Sequence, residues 1–425
     1  MTAPDIDHFA LQFLHFASDE ERVICLHSNE YEQDPYSAVE TLLAMGTEAV
    51  FDLTHGAGEM AALQSFLDVY KSDWVFGHVN YEALSLIEPV ETQLPEIIST
   101  PLISFFVPRI VIEIAQGSLI VHKSDRAEPE LLSAIHSLKI LACTNASPPI
   151  LRNKITQEKY LESILELQQQ IKAGNFYEIN FCHFIQMEQV EIEPIELFHR
   201  LNKSSRAPFS AYYRWGATHL CCASPERFMA RREDKLICQP IKGTNRRLKD
   251  DQENEKQQSL LYDSEKERAE NVMIVDLIRN DLSRVCQPGS VKVEELFGIY
   301  AFTHVNQMIS TISGQLRAQM NFTDVLQALF PPGSMTGAPK VSAMQWIERT
   351  ESFSRGLYSG TVGYIRPGGD WDFNIIIRAI QLDTAQRTAS LAAGGAITFL
   401  SEPQAEYEES LLKMESLLQV LQAEE

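Results

Sequence analysis

Lys242 is the side chain in this sequence with the clearest means of forming a covalent bond to a substrate. It follows Leu236, Ile237 and Ile241, which read as a short buried strand in which Pro240 falls where a ladder N–H is spared. It precedes Gly243-Thr244-Asn245, which is turn chemistry, so the amine is expected at a strand end. A lysine there becomes a nucleophile when its ammonium is desolvated or faces another cation, since either lowers its pKa. An ordinary surface lysine beside a turn reads the same way.

Two segments, Glu267-Arg-Ala-Glu270 and Glu406-Tyr-Glu-Glu409, each set two carboxylates three residues apart, on one face of a helix. Four such donors suit one hard cation. Magnesium takes one or two carboxylates directly, keeps waters and accepts a substrate oxygen, which leaves the other two to act through water. Glutamates on a solvated helix face give the same pattern. Arg378 lies in an otherwise apolar run, residues 373–380, and needs a carboxylate partner, from a ligand or from a structural Glu. Gly360, Gly363, Gly394 and Gly395 mark places where backbone can approach backbone or ligand. The run from Pro331 to Lys340 lacks the spacing of a phosphate loop, but it suits a turn feeding a helix N-terminus that favours a carboxylate.

The elements that must hold these residues alternate in runs. Strands are expected at residues 74–81, 176–181, 209–213, 219–223, 236–240, 357–365, 372–381 and 389–399, with a hairpin over 109–121 turning at Gln116-Gly117. Helices are expected from a Thr156 cap to Gly174, over 252–285, after Gly337 with Pro339 in the first turn, and over 403–422. Strands in runs, with helices between the runs, indicate an α+β fold. Residues 142–150 break both periodicities and read as a linker. His78 and His122 have no partner at ligand spacing and read as structural.

The 425 residues, 44% hydrophobic and 22% charged, can bury a large core. A formal charge of -22 repels nucleic acid and anionic membrane, so basic residues act locally. Seven scattered cysteines without C-x-x-C suggest reduced thiols in the cytoplasm. No signal-peptide pattern opens the chain, and the most apolar stretch, 101–108, is too short to span a bilayer.

Several long motifs, in one order, resemble those of the chorismate-utilising enzymes, the family with an anthranilate synthase component I-like fold. They are Ser224-Pro-Glu-Arg-Phe228, Pro240-Ile-Lys-Gly-Thr244, residues 267–281, Gly333-Ser-Met-Thr-Gly-Ala-Pro-Lys340, Arg378 and Ala405-Glu-Tyr-Glu-Glu409, spread over residues 155–421. The resemblance implies a large β-sheet sandwich with helices packed outside. It also implies an N-terminal β-rich subdomain, 1–141, integrated with the core, a linker at 142–154 and a chorismate-binding catalytic domain at 155–425. Within the family, Lys242 matches the branch that makes 4-amino-4-deoxychorismate for para-aminobenzoate and folate, where anthranilate synthases usually carry alanine. Glu178 stands where isochorismate and salicylate synthases use a lysine.

The roles that follow are those the resemblance implies. Magnesium is held mainly by Glu270 and Glu409, with Glu267 and Glu406 in support, and binds the ring carboxylate. Lys242 attacks C2 as the C4 hydroxyl leaves; ammonia enters at C4 and expels the lysine. Glu226 is acid for the hydroxyl and base for ammonia. Gly243, Thr244, Gly394 and Gly395 contact the ring carboxylate region, Tyr358 and Arg378 the enolpyruvyl carboxylate, and Ser334 lies near the ring. Gln307, with His304 close by, replaces a histidine common in the family, in keeping with a product that retains its enolpyruvyl group. The sequence has no glutaminase-like segment, so a glutamine amidotransferase subunit is the expected ammonia source. Anthranilate synthase component I and a non-catalytic chorismate-binding regulator are the alternative readings.

Overall fold

The computed structural model describes residues 6–31, 33–54, 60–140 and 149–422. From the N-terminus run α1 (Ile6–Phe16), β1 (Arg22–His27), β2 (Thr41–Met45), β3 (Ala49–Leu53), α2 (Met60–Val69), β4 (Val75–Val79), β5 (Ile103–Val107), β6 (Ile110–Ala115), β7 (Ser118–Lys123) and α3 (Glu128–His136). The middle holds β8 (Ile150–Lys154), α4 (Gln157–Lys172), β9 (Glu178–Glu188), α5 (Pro194–Ser205), β10 (Phe209–Trp215), β11 (Thr218–Ser224), β12 (Arg227–Arg232), β13 (Lys235–Gln239), β14 (Ile241–Arg246), α6 (Asp251–Tyr262) and α7 (Glu265–Ser283). The last part holds β15 (Lys292–Ala301), β16 (Val305–Gln315), α8 (Phe322–Leu329), β17 (Gly337–Ala338), α9 (Lys340–Thr350), β18 (Thr361–Ile365), β19 (Trp371–Asn374), β20 (Ala379–Asp383), β21 (Thr388–Ile397) and α10 (Pro403–Gln422).

Alternation along the strands builds the layers. In β1, Val23 and Cys25 pack with α1, α3, α5 and α10, while Ile24 packs toward the other sheet; Leu43 and Leu42 of β2, and Ile112 and Val111 of β6, divide in the same way. A sheet covered on both faces needs apolar residues at every position, which is why these strands read as continuous hydrophobic runs. The first sheet has the order β17-β9-β21-β20-β11-β10-β1-β2-β6-β7, with β8 beside β9. The second has the order β14-β16-β13-β12-β19-β18-β4-β5-β3, with β15 beside β16. Between them lies an aromatic-rich cluster that includes Trp74, Phe76, Phe106, Tyr213 and Tyr364. The outer face of the second sheet is covered by α2, α7 and α8. The α+β sandwich with helices outside is therefore present.

Several elements differ from expectation. The helix expected over 252–285 is two, because Ser264 accepts a hydrogen bond from the Glu267 N–H and starts α7 afresh after Asp263 ends α6. The strand expected over 372–381 is also two. β19 belongs to the second sheet and β20 to the first, and the chain crosses between them through Arg378, whose φ is 51°. An apolar run carries no mark of a change of sheet. The strand expected from Leu357 begins only at Thr361. Gly243-Thr244-Asn245 is not a turn but part of β14, where Gly243, at φ 91°, takes up a register shift between Ile241 and Thr244. Of the expected linker, residues 142–148 lie outside the described residues, and Ile150–Lys154 is β8, paired with β9.

Candidate active site

The chain crosses from the first sheet to the second at Pro225-Glu226, and back at residues 375–378. The crossings are laced together: Ser224 Oγ donates to the Ile375 carbonyl at 2.6 Å, Ile375 N–H to the Glu226 carbonyl at 3.0 Å, and Ala223 N–H to the Arg378 carbonyl at 3.1 Å. Glu226 and Arg378 are thereby held at the same gap in the sandwich. β14 brings Lys242, Gly243 and Thr244 to it, β21 brings Gly394 and Gly395, and the turns before β17 and β18 bring Ser334 and Tyr358. α7 contributes Glu267 and Glu270, and α10 contributes Glu406 and Glu409. All thirteen of these residues line one cavity of about 190 Å³.

Lys242 is 8% exposed, and its Nζ donates to Glu178 Oε1 at 2.6 Å. Burial alone would depress its pKa, but the Glu178 and Glu270 charges and the Glu178 hydrogen bond outweigh burial and hold it above the ordinary lysine value. The depressed pKa expected of a nucleophile is therefore not a property of the resting cavity, which keeps Lys242 as a paired ammonium. Glu226 differs. Burial pushes its pKa up to about 7, against a hydrogen bond from Ser334 Oγ at 2.7 Å and one from the Ile241 N–H at 3.3 Å. A carboxyl poised there can both give and take a proton near neutral pH.

Arg378 is partly buried, and among the described residues its guanidinium makes no hydrogen bond or ion pair; burial lowers its pKa, opposed only by the Glu226 charge. The structural Glu partner is thus absent among the described residues, and a planar donor fork is left free at the cavity for an anion. Gln307 also lines the cavity; among the described residues its Oε1 is buried without a hydrogen bond, and its Nε2 lies 3.5 Å from Thr244 Oγ1. His304 is elsewhere, against the Ser204 carbonyl at 2.8 Å.

Glu267 and Glu270 line the cavity from α7 and Glu406 and Glu409 from α10, with Lys266 near Glu270 and Glu406 and Lys413 beside Glu409. Lys266 Nζ is 3.4 Å from Glu406 Oε1 and 3.9 Å from Glu270 Oε1, and Lys413 Nζ is 2.8 Å from Glu409 Oε1. Among the described residues no three acidic, His or Cys side chains already stand at metal-holding distances. The donor set nonetheless fits a cation. Among the described residues Glu270 Oε1 is buried without a hydrogen-bond donor, and burial raises the Glu270 pKa to about 7, a cost that a bound dication would remove. Space is kept beside the carboxylates: a Cβ on Gly243 would stand 3.0 Å from Glu267 Oε2, and one on Gly395 3.3 Å from Glu406 Oε2.

Sequence reasoning missed Lys266 and Lys413 at the cavity, and Asn180, whose Nδ2 donates to the Ser334 carbonyl at 3.1 Å. It noted Glu178 without pairing it to Lys242. A charge inside the apolar strand around it was the available signal. Arg355 is the main support beneath: it is fully buried, bonded to Glu351 and to the Met335 and Asn180 carbonyls, and stacked over Tyr81.

The sequence profile of chorismate binding enzymes matches residues 21–419. The chain belongs to the chorismate binding enzyme family. Aminodeoxychorismate synthase component 1 of Escherichia coli (strain K12) is 40% identical over 271 residues, which make up 64% of this chain and 59% of that relative. The probable aminodeoxychorismate synthase, chloroplastic, of Oryza sativa subsp. japonica is 38% identical over 270 residues, 63% of this chain and 30% of the relative. This family member thus spans less than two thirds of either relative's length. Anthranilate synthase component I from Streptococcus pneumoniae TIGR4 shares the fold, with a TM-score of 0.78 at 23% identity over 91% of this chain and 95% of that one. No described helix is long and apolar enough to cross a membrane.

Proposed function

We propose that the chain is the synthase component of an aminodeoxychorismate synthase, converting chorismate and ammonia to 4-amino-4-deoxychorismate in para-aminobenzoate formation. The observation that carries this reading is a buried lysine sharing one cavity with a carboxyl of pKa about 7, an arginine without a hydrogen bond or ion pair among the described residues, and two glutamate pairs. The names of the similar proteins from bacteria and plants support it. Six described cysteines, all buried and unpaired, are in keeping with a cytoplasmic location.

In this reading Arg378 and Tyr358 hold the enolpyruvyl carboxylate, and the ring carboxylate lies by Gly243, Thr244 and the Gly394-Gly395 backbone. Glu270 and Glu409, with Glu267 and Glu406 in support, would hold magnesium, which supplies positive charge for that ring carboxylate. Lys242 must lose a proton before it can attack, and Glu178 is the acceptor already bonded to it. The free amine then forms a bond to C2, both conjugated ring double bonds shift by one position toward C4, and the C4–O bond breaks as Glu226 gives its proton to the departing hydroxyl. Ammonia bonds to C4, both ring double bonds shift back, the bond from C2 to Lys242 breaks, and Glu226, now ionised, takes a proton from the new amine. Ser334 keeps Glu226 oriented in both steps. The ammonia is drawn from a glutamine amidotransferase subunit.

Purified chain with chorismate, magnesium and ammonium tests this reading by product analysis. Para-aminobenzoate that appears only after an aminodeoxychorismate lyase is added is the expected result. Anthranilate formed without lyase, or unchanged chorismate, overturns it.

A further inference from the structure

The two glutamate pairs are joined by a lysine of the chain itself. Lys266 stands in the first turn of α7, and its Nζ reaches two carboxylates: Glu270 Oε1 at 3.9 Å, four residues on, and Glu406 Oε1 at 3.4 Å on α10. The first contact is an ordinary pair along one helix. The second crosses the cavity from one helix to another, which helical spacing does not explain. The two glutamate side chains are 8% and 6% exposed, whereas that of Lys266 is 44% exposed, so the ammonium reaches inward from a stem that remains in water. Among the described residues Glu270 Oε1 accepts no hydrogen bond, so Lys266 offsets its charge by proximity and not by a directed bond.

We propose that Lys266 is a displaceable internal counter-cation, occupying the space between Glu270 and Glu406 until a divalent cation arrives, and then moving out to solvent. This rests on the reading of the four glutamates as a magnesium site. A lysine ammonium is a compact charge on a flexible stem, held here by loose contacts, and it gives way to a dication that approaches carboxylate oxygens at about 2.1 Å. Two consequences follow from one contact. Lys266 weakens cation binding by competing for the same oxygens, and it relieves repulsion among the buried carboxylates when no cation is present.

The test uses the full chain and its Lys266→Met variant, with magnesium chloride as the probe. Calorimetric titration is expected to find magnesium bound roughly tenfold more tightly by the variant, the effect of one unit charge about 4 Å away in a high dielectric. Thermal melting is expected to place the metal-free variant below the wild type, with the gap closing at saturating magnesium. A lysine with only a structural role would leave a gap that magnesium does not change. Equal or weaker magnesium affinity in the variant, with the wild type binding, overturns the role of Lys266 and leaves the metal reading standing. Absence of magnesium binding in both proteins overturns the metal reading and this inference with it.

Discussion

At the scale of single residues, two side chains divide the proposed chemistry because burial acts on them with different results. Lys242 and Glu226 are both buried, but three carboxylates act on the lysine, while among the described residues the glutamate meets a hydroxyl, a backbone N–H and the charges of Lys242 and Arg378. Lys242→Ala is expected to slow ammonia-dependent amination by at least about 100-fold, with chorismate binding by calorimetry little changed. An undiminished rate would remove the lysine from the mechanism. Glu226 must be protonated to release the hydroxyl and ionised to take a proton from the amine. Turnover is therefore expected to fall on both sides of about pH 7, and Glu226→Gln should abolish that dependence along with about 100-fold in rate. The same raised pKa bears on stability. The fold retains a proton on Glu226 that the unfolded chain releases near its ordinary value of 4.5, so this group's contribution falls as pH rises from about 4.5 to about 7. Urea denaturation near pH 5 and near pH 8 should find a smaller loss across that range in Glu226→Gln than in the wild type.

At the scale of elements, local signals were legible where a cap or a terminus is written in adjacent residues. Thr156 caps α4 through the Lys159 N–H, and α10 runs over Pro403–Gln422, the range expected of it. The break between α6 and α7 was not read, although Ser264-Glu-Lys-Glu267 has the local spacing of a helix N-cap. That cap orients the first turn of α7, which carries Lys266 and Glu267 toward the cavity. Ser264→Ala is expected to cost about 1 kcal/mol in urea unfolding and to loosen the metal-free site. A change near zero would mean that packing alone sets where α7 begins.

At the scale of the whole molecule, strands from the first third of the chain lie within both sheets: β1 pairs with β10, and β4 pairs with β18. We propose on this ground that the first third is integral to the core. A fragment comprising residues 155–425 would bare the edges of β10 and β18 along with the apolar cluster between the sheets, and is expected to aggregate. A monomeric fragment with cooperative unfolding would refute that. The amino-acid order alone determined which groups are available for chemistry, the family motifs, the α+β class and most strand cores, because alternation, caps and turn residues act over a few neighbours. Only the tertiary structure decided that the run around Arg378 changes sheet, that Lys242 rests against Glu178, and that Lys266 lies between the glutamate pairs. Each depends on residues tens to hundreds of positions apart, and the electrostatic environment of a buried charge is set by whatever the fold brings beside it.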